Sequence, residues 1–201
     1  KNLKYNMKIA FFDFDGTITK ADSTARFIRY LVGDSKFFIG IFFLLPFMLL
    51  YILNIISNNS IKQIIITYFF KGKSFNEFKK HAEYFSLNML EPLIRKKALK
   101  QIAWHKENGH DVVIVSASID LWLRPWCIKN DVALISSMLE VNDKVITGKT
   151  RNKNCYGLEK VTRIKELYNL SEYSYIYSYG NSRGDYEMLK IANESHYKPF
   201  T

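Results

Sequence analysis

The chain has 201 residues, 48% of them apolar, with 29 lysines and arginines against 19 aspartates and glutamates for a formal net charge of +10. That length suits one domain, or one domain carrying an insertion, and the composition excludes collagen-like, low-complexity and wholly disordered chains. Two cysteines, Cys127 and Cys155, are too few for a disulfide framework, and no histidine stands at ligand spacing from them, so a reduced, intracellular protein is expected. The cations are scattered (Lys79-Lys80, Arg95-Lys96-Lys97, 149–153) and no nucleic-acid module signature accompanies them. They suit solvated helix faces, anionic lipid or a phosphorylated small molecule, and no nucleic-acid partner is expected.

Met7 to Phe12 reads as a buried strand that runs into Asp13-Phe14-Asp15-Gly16-Thr17, a layout unlike a signal peptide. Asp111 to Ser116 and Tyr173 to Tyr179 have the same form, an apolar strand that ends in small polar residues ahead of helical patterning. Repetition of strand, polar loop and helix predicts an α/β fold with a Rossmann-like parallel sheet and a site at the strand C-termini. The tyrosines at 173, 175, 177 and 179 are expected to pack under a helix. The gap between the first two strands is far longer than a βα connection, which predicts a helical subdomain inserted after the first strand. The boundaries expected are 1–19 and 89–201 for the core and 20–88 for the insertion. A helix is expected near Leu93 to Glu107, and a hairpin over Val141 to Val145 with Asn142-Asp143 at its turn.

Phe37 to Ile56 carries no charged residue, and only Gly40, Pro46 and Asn54 interrupt its apolar run. A single transmembrane span would separate the first strand from the others and prevent the sheet from forming. Pro46 predicts a bend between two short helices. Such a hairpin would either form the buried core of the insertion or dip into one leaflet, giving peripheral membrane contact through 37–56. Flanking cations (Arg26, Arg29, Lys36, Lys62, Lys71, Lys73) suit lipid contact and ordinary solvation equally.

The strongest chemical signal is Phe12-Asp13-Phe14-Asp15-Gly16-Thr17. If the strand continued, its two carboxylates would lie on one side and share a cation. The calcium-loop pattern fails because Gly16 stands fourth from Asp13, where that loop needs glycine at position six. The set of motifs resembles the haloacid dehalogenase superfamily, specifically its phosphoserine-phosphatase-like branch, over nearly the whole chain. Asp13 to Thr17 matches its first motif, Val112 to Ser116 the second, Lys160 the third, and Gly180-Asn181-Ser182-Arg183-Gly184-Asp185 the fourth.

The resemblance implies an α/β core closed by a helical cap, and a magnesium-dependent phosphomonoesterase. In it, Asp13 would attack phosphorus to form an aspartyl-phosphate, and Asp15 would protonate the leaving group and then activate water. Ser116 and Lys160 would hold the phosphoryl oxygens, with Lys153 the alternative if the helix start shifts. Magnesium would sit between the Asp13 carboxylate, the Asp15 carbonyl and the Asn181 side chain, with Asp185 bonding a metal-bound water. Asn181 stands where the superfamily commonly has Asp, which implies weaker magnesium affinity. Asp22 stands where phosphoserine phosphatases carry an acidic residue that reads the substrate's amino group. The apolar insertion is similar to caps of bacterial phosphatidylglycerophosphate phosphatases in the same superfamily. The substrate is therefore expected to be a small phosphorylated, phosphoserine-like metabolite or a lipid phosphate. The expected location is the cytoplasm, or the inner face of the membrane.

A reading from another class is a non-catalytic membrane-surface or partner-binding module that keeps the fold; intact Asp13 and Asp15 argue against it. Gly180 to Gly184 also matches a nucleophile elbow, but His196 is the single histidine after it and no acid-bearing strand follows, so a serine hydrolase is not expected. Thr147-Gly148-Lys149-Thr150 lacks the earlier glycine of a phosphate-binding loop, since Asp143 occupies that place. Trp122 and Trp126 share a helix face and are expected in the core, with an entrance rim or a membrane anchor as alternatives.

Overall fold

The computed structural model describes residues 7–201; residues 1–6 of the expected core segment 1–19 lie outside the described residues. Strand β1 (Met7–Phe12) has four consecutive fully buried residues from Ile9 to Phe12, a run that only a strand covered on both faces sustains. Parallel to it on one side lies β2 (Asp111–Ile119), followed outward by β3 (Ala133–Ser137). On the other side lie β6 (Tyr173–Gly180) and β7 (Glu194–Tyr197), giving the order β3-β2-β1-β6-β7. Alternate residues of β1 serve opposite faces. Ala10 and Phe12 pack with Ala98 and Ile102 of α5 (Lys96–Glu107) and with Trp122 and Trp126 of α6 (Asp120–Lys129). Ile9 and Phe11 pack with Ile164 of α7 (Leu158–Leu167) and Met188 of α8 (Tyr186–Lys190). Tyr177 and Tyr179 are buried against His105 of α5, the Tyr179 hydroxyl 2.9 Å from its Nε2, so half of the tyrosine row packs beneath a helix, while Tyr173 and Tyr175 are only half-buried.

Four α-helices lie between β1 and α5: α1 (Ser23–Val32), α2 (Asp34–Ile52), α3 (Asn58–Phe70) and α4 (Phe75–Asn88). They join the sheet's helices through aromatic packing. Phe27 stacks on Trp122 at 4.6 Å and meets Phe78 and Phe85 edge-on at 5.2 and 5.4 Å. Trp126 meets Phe14 edge-on at 5.2 Å, so both tryptophans are core, and the rim and anchor alternatives fall away. An antiparallel pair, β4 (Leu139–Asn142) and β5 (Val145–Thr150), leans on α3, where the Thr67 hydroxyl donates to the Gly148 carbonyl at 2.8 Å. Its register pairs Asn142 with Val145, leaving Asp143 (φ 47°) and Lys144 (φ 64°) as the two turn residues. The turn thus falls one residue later than Asn142-Asp143, because both central positions of a two-residue hairpin turn of this kind are left-handed.

The bend expected at Pro46 is absent: α2 runs unbroken through it. Phe37, Gly40, Leu44 and Tyr51 share one stripe that α3 and its approach hold at both ends. Phe37 stacks on Phe69 at 6.3 Å, and the Tyr51 hydroxyl accepts from Asn58 Nδ2 at 3.2 Å. A break at Pro46 would separate these contacts. The chain reverses after Leu53 instead, where Asn54 takes φ 59° and the Ser57 hydroxyl caps α3 by accepting from the Ser60 amide at 3.1 Å. The buried-core alternative for this stretch also fails, since of the whole helix only Gly40 and Leu44 are buried.

Candidate active site

Where β1 ends, Asp13 stays extended and its amide donates to the Tyr179 carbonyl at 2.9 Å, which fixes it at the sheet's C-terminal edge. Strand geometry stops there. Gly16, at φ +80°, turns the chain sharply, so the Asp13 and Asp15 side chains diverge and do not share a cation as strand spacing suggested.

Asp13 Oδ1 accepts from Lys160 Nζ at 2.7 Å, and Oδ2 accepts from the Thr17 hydroxyl at 3.0 Å. Lys160 is fully buried and donates also to Asp185 Oδ1 and the Val115 carbonyl, each at 2.7 Å. Burial works against its charge, but Asp13 and Asp185 outweigh that and hold the ammonium firmly protonated. Lys153 is exposed, so the lysine at the carboxylates is Lys160. Asp13 itself is pushed up to about 6, first by burial, which the Lys160 charge offsets in part, and then by the charge of Asp185.

Asp15 points the other way. Its Oδ1 accepts from the Ser23 amide at 2.6 Å and its Oδ2 from the Ser118 hydroxyl at 2.5 Å. Burial pushes it up to about 7, with the nearby charge of Asp22 adding to the effect and the bonds from Ser118 and Ser23 opposing it. Ser116 is buried in β2, which runs three residues past it and so beyond the end that the sequence placed there, and its oxygen accepts from the Ser118 amide at 3.0 Å, leaving its O–H to donate.

Asp185 Oδ2 accepts from the Asn181 amide at 3.0 Å and from the amide and hydroxyl of Ser182, both at 2.9 Å. With Oδ1 on Lys160, both its oxygens are engaged within the chain; they fix the loop that carries Asn181, and Lys160 first among these partners holds the acid below its ordinary value against its burial. The Thr17 hydroxyl, 3.0 Å from Asp13 Oδ2, also lies 3.2 Å from Asn181 Oδ1, so carboxylate and amide oxygens face one small volume. Gly16 borders it too: a Cβ there would lie 2.2 Å from Asn181 Nδ2. No three His, Cys, Asp or Glu side chains converge at a metal-sized point among the described residues. Asp22 is exposed and caps α1, accepting from the Ala25 amide at 2.8 Å.

The structure thus gathers Asp13, Asp15, Ser116, Lys160, Asn181 and Asp185 at adjoining loops, with Asp22 at the edge. It also adds residues that the sequence did not single out for the site. Ser118 grips Asp15, and its signal was the alternation Ser116-Ala117-Ser118, which puts both hydroxyls on one side of β2. Lys62, expected among the flanking cations, is half-buried with its ammonium turned inward; Nζ reaches the Ala117 carbonyl, Asn154 Oδ1 at 2.6 Å and Ser137 Oγ at 3.0 Å. Burial lowers it to about 7, while the charges of Cys155 and Asp15 work the other way. Its signal was a lone cation inside the apolar run Ile61 to Ile66.

The family model of haloacid dehalogenase-like hydrolases matches residues 10–190. Protein CicA of Caulobacter vibrioides is 30% identical over 191 residues, covering 94% of this chain and 85% of CicA. A solved protein of unknown function from Bordetella pertussis Tohama I aligns with a TM-score of 0.83 at 20% identity, over 94% of this chain and 89% of its own. A phosphoserine phosphohydrolase-like protein from Francisella tularensis subsp. tularensis SCHU S4 aligns at 0.70 and 16% identity, over 94% and 84%.

Proposed function

Because the chain belongs to the haloacid dehalogenase-like hydrolases, we propose that it hydrolyses phosphate monoesters through an aspartyl-phosphate on Asp13, with residues 20–88 serving as the cap that selects the substrate. The observation that carries this reading is that the two carboxylates have different partners. Asp13 faces the Lys160 ammonium at 2.7 Å, while Asp15 lies away from that cation on the Ser23 amide and the Ser118 hydroxyl, where burial pushes it up to about 7.

An Asp13 oxygen attacks phosphorus as the ester oxygen leaves on the opposite side. Asp15, protonated below about 7, gives its proton to the departing alkoxide, then takes one from the water that opens the acyl-phosphate. The Ser116 O–H holds a phosphoryl oxygen, and Lys160, turning one of its three N–H groups from Asp13 to the phosphate, holds another and offsets the repulsion between Asp13 and the incoming phosphate. The residues fit magnesium: the Asp13 carboxylate and the Asn181 amide present hard oxygens to one volume, with the Asp15 carbonyl as a third donor, and magnesium keeps waters elsewhere. When bound, it would supply positive charge at the phosphoryl oxygens. With a neutral amide in that set, weak affinity is expected.

The test is phosphate release with magnesium and with EDTA, for wild type and Asp13→Asn, on phosphoserine, sugar phosphates, nucleotides and detergent-dispersed lipid phosphates. Release that needs both magnesium and Asp13 is expected on at least one class. Near-normal release by Asp13→Asn would overturn the mechanism, and no release from the whole panel would overturn the activity.

A further inference from the structure

Beyond its polar first turn (Asp34, Ser35, Lys36), the outward face of α2 is apolar from Phe38 to Ile52. Phe38, Ile39, Phe42, Phe43, Leu49 and Ile52 are all more than half exposed, Phe42 at 68% and Ile52 at 70%. Leu53 and Ile55 extend the same surface past the helix end. Contiguous apolar surface of this kind marks an interaction site. The inner stripe of α2 is committed to the body of the protein: a Cβ on Gly40 would lie 2.5 Å from the Phe69 ring, and Leu44 is buried. The helix therefore lies along the protein, and α1 and α3 on either side of it both return to that same body. An outward face held this way enters one leaflet lengthwise and does not cross.

Charge selects the kind of surface. Lys36 and Lys73 flank a depression that Val32, Ile39, Tyr68 and Phe69 complete, while the nearby Arg29 guanidinium is already paired with Asp34 at 2.7 Å, so these two lysines are the cations at issue. Cations bordering an apolar face, on a chain of net charge +10, complement anionic headgroups above an acyl layer. The far end of α2 leads to the proposed catalytic loops. Tyr51 accepts from Asn58, Asn58 Oδ1 accepts from Asn154 Nδ2 at 2.6 Å, and Asn154 Oδ1 accepts from Lys62, which reaches Ala117 beside Ser116.

We propose that α2 docks the protein on an anionic bilayer, its outer face in one leaflet, with the catalytic loops at the headgroup layer. The placement of those loops rests on the phosphatase reading; the docking itself does not. The experiment is sedimentation of the full chain with vesicles of phosphatidylcholine alone or with phosphatidylglycerol, alongside light scattering in vesicle-free buffer. Hydrolysis of a soluble aryl phosphate follows the activity separately. Binding to the anionic vesicles is expected, with a loss of at least about tenfold in Phe42→Glu/Phe43→Glu, and of about fivefold per charge in Lys36→Gln and Lys73→Gln. All variants should keep wild-type unfolding temperature and soluble-ester turnover, because these side chains lie outside the proposed catalytic loops. Equal partition into both vesicle types, unchanged binding of the phenylalanine variant, or a vesicle-free dimer that binds neither vesicle would each overturn the docking. Vesicle binding without turnover of any ester would keep the docking and overturn the phosphatase reading alone.

Discussion

Asp13→Asn should abolish turnover and raise stability together. Asp13 titrates near 6 in the folded chain against 3.8 for an ordinary aspartate. A carboxyl raised in this way favours the folded state most below 3.8, and that contribution is lost as the pH climbs through 6. Above that point the charged form costs the fold about 3 kcal/mol. Asparagine copies the shape of the neutral acid: its amide oxygen can still accept from Lys160, and its NH2 then faces the Thr17 hydroxyl oxygen. Lys160 loses a charged partner but keeps Asp185 and the Val115 carbonyl, each at 2.7 Å. For a chain of this length each kcal/mol moves the midpoint by about 2–4 °C. In EDTA at pH 7.5 the variant should therefore unfold up to about 6–12 °C above wild type. The gap should shrink from pH 6 towards pH 4 as wild-type Asp13 takes up its proton.

Thermal unfolding by circular dichroism across that pH range measures it. Magnesium supplies an internal control, since it should raise the wild-type midpoint and leave that of the variant nearly still. A variant no more stable than wild type at pH 7.5 in EDTA would refute the reasoning. So would a gap that persists undiminished at pH 4, because burial of a charged nucleophile would then not be its origin.

Asn181→Asp should tighten magnesium about tenfold, close to 1.4 kcal/mol, and lower the midpoint in EDTA, where a second carboxylate would face Asp13; calorimetric titration and unfolding in EDTA read the two effects. Gly16→Ala should lose about 1–2 kcal/mol for its left-handed backbone and weaken magnesium, because the new Cβ displaces the Asn181 amide; an unchanged magnesium titration would remove that amide from the site. Lys62→Met should lower kcat about tenfold by freeing the Ala117 carbonyl beside Ser116. Because burial lowers Lys62 to about 7, wild type loses stability as the pH falls from 10.5 towards 7, while the methionine variant should not.

The fold was legible where local pattern and chemistry coincide. A buried strand that ends in Asp13 needs a sheet around it, and small polar residues at 180–182 mark the end of β6, whereas β2 runs three residues past Ser116 to Ile119. Lys62 was legible only as a cation, since its partners Ala117, Ser137 and Asn154 come from β2, the end of β3 and the loop before α7, which only the folded chain brings together. Pro46 misled because a proline's missing N–H predicts a bend only where no packing holds both sides of it straight. By composition the apolar run 37–56 suits a buried core and one leaflet of a membrane alike, because composition does not say which neighbours exist to cover it; in the fold only one stripe of α2 finds them.

Asp22 distinguishes two ways in which the inserted helices act on the chemistry. As the cap of α1 it stands close enough for its charge to add to the raised value of Asp15, second only to burial. Ser23 and Thr24, which follow it, wall in the same acid: the Ser23 amide reaches Asp15, and the Thr24 hydroxyl lies 2.8 Å from that of Ser118. The first turn of the insertion therefore sets the proton affinity of the group proposed to protonate the leaving alkoxide. Asp22→Asn tests this cleanly, because asparagine caps a helix as well as aspartate and the fold should hold. If Asp22 acts through its charge, the loss of kcat on the alkaline side should begin at lower pH for every substrate, with KM nearly constant. If it instead reads a substrate amino group, KM should rise for amino-bearing esters alone and the pH profile should stay where it was. That second pattern would refute the electrostatic account and return Asp22 to substrate recognition.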